Sequence, residues 1–280
     1  MTAARLDLGL SALRYAALSL IAAILLLPIY WLIMSSFRPA DEIFRYAGAF
    51  GIDTLVPRTL TLENYQHIFA GSFPRALFNS LFVCVATVSL GVIVNSMAGF
   101  AFAVFDFPFK KPLFIVVLLS FMMPFESIVI PLYTLMRTLN WTDTYAALIL
   151  PEVAGGLIIF LFRQFFASIP KEIYEAARID GASWWQVYYQ MTMPLSGPTI
   201  ATASLMMFIH QWDAFFWPLV ATSSADLAVV QVAIARNMTL EQANWGALFA
   251  SASTAVLVAA VPFSLLQRFY VRTVTTNADK

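Results

Sequence analysis

Residues 16–34 read AALSLIAAILLLPIYWLIM, a stretch without a charged side chain that contains ten leucine or isoleucine residues. At about −0.5 kcal/mol each, those ten side chains favour transfer into a bilayer by roughly 5 kcal/mol. The hydrocarbon layer is about 30 Å thick, and a helix rising about 1.5 Å per residue needs about 20 apolar residues to cross it. Lipid offers no partner to an unpaired backbone group, so the stretch is predicted to cross as a helix. It is too long for the apolar core of a typical secretion signal and no small-residue cleavage site follows it, so it is expected to be retained.

Working outward, runs of similar character recur, giving six in all at about 14–36, 78–105, 112–136, 144–165, 198–221 and 247–270. None alternates in polarity as a barrel strand does. With 60% hydrophobic and 11% charged residues, the chain carries more apolar surface than a water-soluble fold could hide. The fold class is therefore predicted as an all-α integral membrane protein of about six transmembrane helices. Lysine plus arginine equals aspartate plus glutamate at 16 each. No charge run argues for nucleic acid, and membrane lipid is the expected surrounding. The single Cys84 excludes an intramolecular disulfide framework and a thiol-based zinc cluster.

An even number of spans puts both termini on one side. That side then holds ten basic residues (Arg5, Arg14, Lys110, Lys111, Arg163, Lys171, Arg178, Arg268, Arg272 and Lys280). The other side holds six, namely Arg38, Arg45, Arg58, Arg75, Arg137 and Arg236. The excess places both termini and the 106–111 and 166–197 loops in the cytoplasm. Three parts are expected: 1–75, the first span and an extracytoplasmic loop; 76–270, five spans; and 271–280, a cytoplasmic tail. The outer loop, about 37–77, carries several prolines and glycines and should mix turns with short surface helices.

Residues 167–198 read ASIPKEIYEAARIDGASWWQVYYQMTMPLSGP. Pro170 suits a first helical turn, and Gly181 can supply a left-handed stop. Ser183 offers an N-cap to a second helix in which Trp184, Val187, Tyr188 and Met191 fall at i, i+3, i+4 and i+7, closed by Pro194. Ala176 and Ala177 give the first helix a small-residue face, framed by Glu175 and Arg178 at i, i+3. Such a face suits docking. The pattern alone equally fits an amphipathic hairpin lying on the inner leaflet.

Glu175-Ala176-Ala177, three residues, Gly181, nine residues, then Met191-Thr192-Met193-Pro194 resembles the EAA loop of permease subunits of binding-protein-dependent ABC importers. The family pattern is EAA, three residues, G, nine residues, I, any, L, P, and two methionines replace its aliphatic residues. Glu63-Asn64-Tyr65, Asn79-Ser80, Pro131-Leu132-Tyr133, Arg178-Ile179-Asp180-Gly181-Ala182 and Trp217-Pro218-Leu219 resemble the carbohydrate-uptake branch, which includes maltose and glycerol-phosphate permeases. Asp213 departs from that branch's usual asparagine, and the tail VRTVTTNADK lacks its glycine-rich ending.

The resemblance implies the type I ABC importer permease fold in a cell inner membrane. It further implies a partnership with a homologous permease subunit, two ATPase subunits and an extracytoplasmic solute-binding protein. Carbohydrate is the implied cargo, with a solute such as glycerol phosphate as the alternative. ATP and magnesium would sit on the ATPase, and this chain would bind no cofactor. Glu175, Ala176, Ala177, Arg178, Asp180, Gly181 and Pro194 would form the loop that docks to the ATPase.

Polar residues inside the runs are candidates for the translocation path. The Ile, Leu, Phe and Val residues of 198–221 favour insertion by roughly 4 kcal/mol, against about +3 for a mid-membrane aspartate. Asp213 therefore either faces a polar interior or sits hydrated near the outer interface. Glu126, between Pro124 and Pro131, lies in a run that must be kinked or broken. Gln211, Asn79 and Asn95 are further candidates, although amides also bridge helices without touching solute. His67 and His210 are read as loop or interface residues. No HExxH, GxSxG or P-loop pattern occurs, so neither an enzyme nor an ATP site is expected. A membrane-embedded enzyme would need clustered catalytic residues, and a passive channel has no use for the 171–191 loop.

Overall fold

The structure, a computed structural model, describes the backbone of residues 2–45, 51–238 and 244–278 and the side chains of 11, 13–45, 51–238 and 244–265. The side chains of Arg5, Arg268, Arg272 and Lys280, counted above for orientation, lie outside the described residues.

The helices, in order, are α1 (Thr2–Ser36), α2 (Ile52–Leu55), α3 (Glu63–Ala70), α4 (Phe73–Val104), α5 (Lys110–Met122), α6 (Phe125–Thr138), α7 (Tyr145–Val153) and α8 (Gly156–Ser168). There follow α9 (Lys171–Ile179), α10 (Trp184–Gln186), a π-helical turn Val187–Thr192, α11 (Met193–Leu195), α12 (Gly197–Trp212), α13 (Phe216–Ala221), α14 (Val230–Ala235) and α15 (Trp245–Ala278). The expected tail at 271–280 is, through Ala278, a continuation of the last helix.

Three helical segments among the described residues are long and apolar enough to cross a membrane alone: Leu13–Ser36, Phe73–Val104 and Trp245–Leu265. The count rises to five if the pairs α5 with α6, bent by 101°, and α7 with α8, bent by 41°, are each one crossing. Hydropathy draws unbroken runs where the backbone breaks three of them. The first break falls at Met123, whose ψ of 126° is the extended conformation that Pro124 imposes on its predecessor. The kink expected around Glu126 is thus present, and it is a sharp turn. The second break follows Val153, where Ala154 and Gly155 are both extended. The third divides run 198–221 into α12 and α13 at residues 213–215, because the Pro218 ring excludes a helical carbonyl at Ala214.

Two compact units result: Met1–Pro74 with Ile234–Leu257, and Arg75–Ala233 with Val258–Lys280. In the first, Trp31 packs edge-on to Phe249 at 5.2 Å and Phe44 edge-on to Trp245 at 4.9 Å. Among its described residues the 37–77 stretch is the expected mixture of turns with the short helices α2 and α3. Asn64 ties it down by donating to the carbonyls of Ser36 and Arg38 at 3.0 and 2.7 Å, and the buried Arg38 donates to the Thr54 carbonyl at 2.9 Å.

The second unit has two apolar centres. One gathers Val83, Val129, Leu148, Val153, Trp217 and Val232. The other gathers Phe100, Phe162, Phe166, Tyr174, Val187 and Tyr188, and it joins the membrane helices to the 171–195 loop. Helices approach closely through glycine. A Cβ on Gly156 would lie 2.4 Å from the Val117 carbonyl, so α5 meets α8 only because that position is bare.

Candidate functional site

The loop between α8 and α12 folds from local rules. Pro170 stands at the cap of α9, one residue ahead of the first turn, with ψ of 136°. At the other end Gly181 has φ of +87°, its N–H donates to the Arg178 carbonyl at 3.1 Å, and Ala182 N–H donates to the Ala177 carbonyl at 3.0 Å. That pair of bonds is the Schellman termination, which uses a left-handed residue that glycine adopts without a Cβ penalty. Two residues on, Ser183 Oγ accepts from Gln186 N at 3.3 Å while Ser183 N donates to Gln186 Oε1 at 2.7 Å, a reciprocal capping box.

The second helix does not close at Pro194. It widens into the π-helical turn, where Met193 N–H reaches back to the Tyr188 carbonyl, and ends one residue later at Leu195. The wide turn accommodates a proline that has no N–H to donate.

The expected small-residue face is divided. Ala176 is exposed, but Ala177 turns inward against the Phe100–Tyr188 cluster. Glu175 and Arg178, expected to frame that face, turn to different surroundings. Arg178 donates to the Ala182 carbonyl, and its guanidinium carbon lies 5.0 Å from the Trp184 ring centre. Glu175 is left facing outward with Ala176 and Ile179, the last 85% exposed. Glu175, Arg178 and Ile179 line one side of a groove of about 710 Å³ whose other walls include Val104, Asp106 and Trp184.

The loop is seated on the membrane helices by buried polar and aromatic contacts. Ser96 Oγ and Tyr188 OH are 2.8 Å apart, and Tyr174 OH donates to the Phe166 carbonyl at 3.1 Å. Burial pushes the Tyr174 hydroxyl above its ordinary range. Phe100 touches Tyr188, Phe166 and Tyr174 with ring centres 5.3, 5.9 and 6.2 Å away. Trp184 meets Phe105 edge-on at 5.0 Å. The exposed ridge therefore rests on a stiff base.

The polar residues of the spans fall into two groups. Asn79 is fully engaged: it donates to the carbonyls of Asp226 and Ala228 at 2.7 and 2.9 Å and accepts from Tyr145 OH at 2.7 Å. Asn95 donates to the carbonyls of Gly91 and Val153 at 2.6 and 2.7 Å and accepts from Gly155 N at 2.8 Å. Gln211, by contrast, is buried with its Oε1 unpartnered. Asp213 caps the C-terminus of α12 and is exposed, beside His210 in an open recess of about 550 Å³. Glu126 is exposed in the first turn of α6, where the helix dipole favours a carboxylate.

Glu152 escaped the sequence reading, and His210, read there as a loop or interface residue, is its partner. Glu152 Oε2 lies 3.1 Å from His210 Nε2, although 58 residues separate them. An acidic residue interrupting run 144–165 was the available signal for Glu152. Among the described residues no group of three His, Cys, Asp or Glu side chains could hold a metal ion.

Comparison with known proteins places this geometry in context. Residues 91–276 match the family described as "Binding-protein-dependent transport system inner membrane component". The chain is 34% identical to the arabinooligosaccharides transport system permease protein AraQ of Halalkalibacterium halodurans, over 93% of each chain. It is 28% identical to the lactose transport system permease protein LacG of Rhizobium radiobacter, over 92% of this chain and 93% of that one. With the sn-glycerol-3-phosphate transport system permease protein UgpE of Rhizobium meliloti the identity is 31%, over 89% and 90%. Its fold is similar to a chain in the crystal structure of a bacterial ABC transporter that imports alginate, with a TM-score of 0.81 at 20% identity, over 94% and 97%. The chain belongs to the inner membrane components of binding-protein-dependent transport systems, the permease subunits of ABC importers, and is a transport subunit rather than an enzyme.

Proposed function

We propose that this chain pairs with a second, homologous permease to form the path of a carbohydrate through the inner membrane. The 171–195 loop docks on one of two cytoplasmic ATPase subunits, and an extracytoplasmic binding protein delivers the solute. ATP and magnesium are bound by the ATPase. Both chain termini and the loop lie in the cytoplasm, as the excess of basic residues on that side supports.

The observation that carries this reading is the loop's construction: an outward ridge of Glu175, Ala176 and Ile179 on a base bonded to the membrane helices through Ser96 and Tyr188. A rigid element held in this way can be pulled or pushed as a unit, and Ser96 carries that displacement into α4. Within the path we place Gln211, Asp213 and Glu126, while Asn79 and Asn95 hold backbone breaks in shape around it. Sugar cargo is supported by the names of the arabinooligosaccharide and lactose relatives. Glycerol phosphate is the competing cargo, supported by relatives of comparable identity.

The test is reconstitution of the tagged chain, with the subunits that co-purify, into ATP-loaded proteoliposomes. ATP-dependent uptake of a radiolabelled oligosaccharide supports the reading. Isolation of the chain without any ATPase subunit, or uptake that is indifferent to ATP, contradicts it.

A further inference from the structure

The N-terminal end of α5 gathers basic side chains that neither the loop nor the path uses. Lys110 and Lys111 are the first two residues of the helix, and Arg163 of α8 lies against the next turn, its guanidinium carbon 4.3 Å from the Phe114 ring centre. Lys110 pairs with Asp106 at 3.2 Å, and Arg163 donates to Gln164 Oε1 at 3.2 Å. Asp106 is the single carboxylate in 105–122 and 156–168, so two of these three positive charges are left over.

Aromatic packing fixes the ground on which they stand. Phe102 meets Phe107 and Phe114 with ring centres 5.8 and 5.3 Å away, and Phe114 stacks on Phe160 at 6.3 Å. Phe109, in contrast, is 77% exposed and has φ of +61°, a left-handed backbone that a bulky side chain seldom adopts. With Lys110 and Lys111 it borders an open recess of about 450 Å³. Beyond the lysines α5 is apolar, and none of its 13 residues is buried. Lys111, Ile115, Leu119 and Met122 recur at i, i+4, i+8 and i+11, on the face turned away from α8, which approaches at Val117 and Phe121. Ile115, Leu119 and Met122 are 54%, 55% and 73% exposed. Positive charge at the end of an exposed apolar stripe complements a molecule with an anionic head and acyl tails.

We propose that this end of α5 binds an anionic phospholipid of the inner leaflet. Lys110 and Lys111 hold the headgroup phosphate, and Arg163 adds attraction from the neighbouring helix. The acyl chains lie along Ile115, Leu119 and Met122, while the Phe109 ring rests at headgroup level, where aromatic side chains favour the membrane boundary. Each lysine near an anionic surface strengthens the attraction by about five-fold. A choline lipid is the poorer ligand, because its own ammonium offsets the phosphate. The inference goes beyond the transport reading and uses only the cytoplasmic placement of 106–111.

The full chain, with the subunits that co-purify, is tested in nanodiscs of equal phosphatidylglycerol and phosphatidylcholine. Phe109 is replaced by the photoreactive analogue benzoylphenylalanine, and the adducts are identified by mass. Phosphatidylglycerol adducts are expected to exceed phosphatidylcholine adducts at least three-fold. The preference should fall to parity when Lys110→Gln and Lys111→Gln are combined and should persist when Lys110→Arg and Lys111→Arg are combined. Parity in the parent overturns the proposal, as does a preference unchanged in the double glutamine variant or an adduct to another subunit in place of lipid. Each of these leaves the permease reading intact. The leaflet is checked separately with Phe109→Cys and a membrane-impermeant maleimide; the native Cys84 is fully buried. Labelling in inside-out vesicles and not in whole cells is expected, and labelling in whole cells overturns the cytoplasmic placement and the inner-leaflet site together.

Discussion

The hydroxyls of Ser96 and Tyr188 lie 2.8 Å apart in a buried hydrogen bond, 92 residues apart in sequence. One belongs to a membrane helix and the other to the π-helical turn of the loop, so a displacement of the loop acts directly on α4. Ser96 Oγ also lies 3.1 Å from the Ile93 carbonyl, to which it can donate.

Tyr188→Phe should therefore separate mechanics from folding. Ser96 keeps its bond to Ile93, and the ring keeps its contact with Phe100, so the stability loss is expected to be about 1 kcal/mol. Uptake per ATP hydrolysed should fall several-fold in proteoliposomes. Tyr188→Ala, which also empties the aromatic cluster, should cost about 3–5 kcal/mol in the thermal unfolding of the purified subunit.

At Gly181 the obstacle to substitution is backbone conformation, since an added Cβ would meet nothing within 4 Å. Gly181→Ala is expected to cost about 1–2 kcal/mol and Gly181→Asn less, because asparagine tolerates the left-handed region. Glu175→Lys and Gly181→Asp should leave the protein in the membrane at normal level but release ATP hydrolysis from uptake. Unchanged uptake by both variants would count against the docking role.

Asn95 bonds to both sides of the α7–α8 break, so Asn95→Leu leaves Val153 O and Gly155 N unpaired at once. A loss of about 2–4 kcal/mol is expected, read as a lowered thermal midpoint in detergent.

Asp143 gives the pH dependence. Its Oδ1 accepts from Ser224 N and Ser223 N, both at 3.0 Å, in a turn where Asp143 itself has φ of +58°. The bond from Ser224 leads in holding the carboxyl below the usual range, opposed by partial burial and aided by Ser223. A depressed carboxylate contributes stability that is complete above its unfolded value of about 3.9 and is lost as pH falls through the lower folded value. Thermal midpoints should thus decline more below about pH 4 in the wild type than in Asp143→Asn. Asp143→Ala should cost about 1–2 kcal/mol at neutral pH, through two lost bonds and the positive φ.

Local chemistry was what the sequence could show. The left-handed turn at Gly181 and the Ser183 cap follow from residue types within one or two turns and are present, and of the stripe Trp184, Val187, Tyr188 and Met191 the middle two are buried, Met191 partly so, and Trp184 is exposed. The bend before Glu126 was legible because Pro124 restricts Met123. Three features were not. Ala177 turns inward against a cluster that includes Phe100 and Met207, from helices far away in sequence. Arg178 turns onto the Trp184 face and the Ala182 carbonyl, contacts set by the turn geometry. Glu152 and His210 are brought together by the break at Ala154 and Gly155, which a hydropathy average does not register.

The most direct measurement is a cross-link from the exposed ridge of the loop. Ala176→Cys, in the assembled importer carrying a cysteine in the facing cleft of the ATPase, is treated with a short bifunctional thiol reagent in sealed inside-out vesicles. The account expects a disulfide-length or short-spacer adduct between this chain and the ATPase, formed in intact vesicles whose cytoplasmic face is outward. No adduct, together with labelling of Ala176→Cys by a membrane-impermeant reagent applied to whole cells from outside, would contradict it.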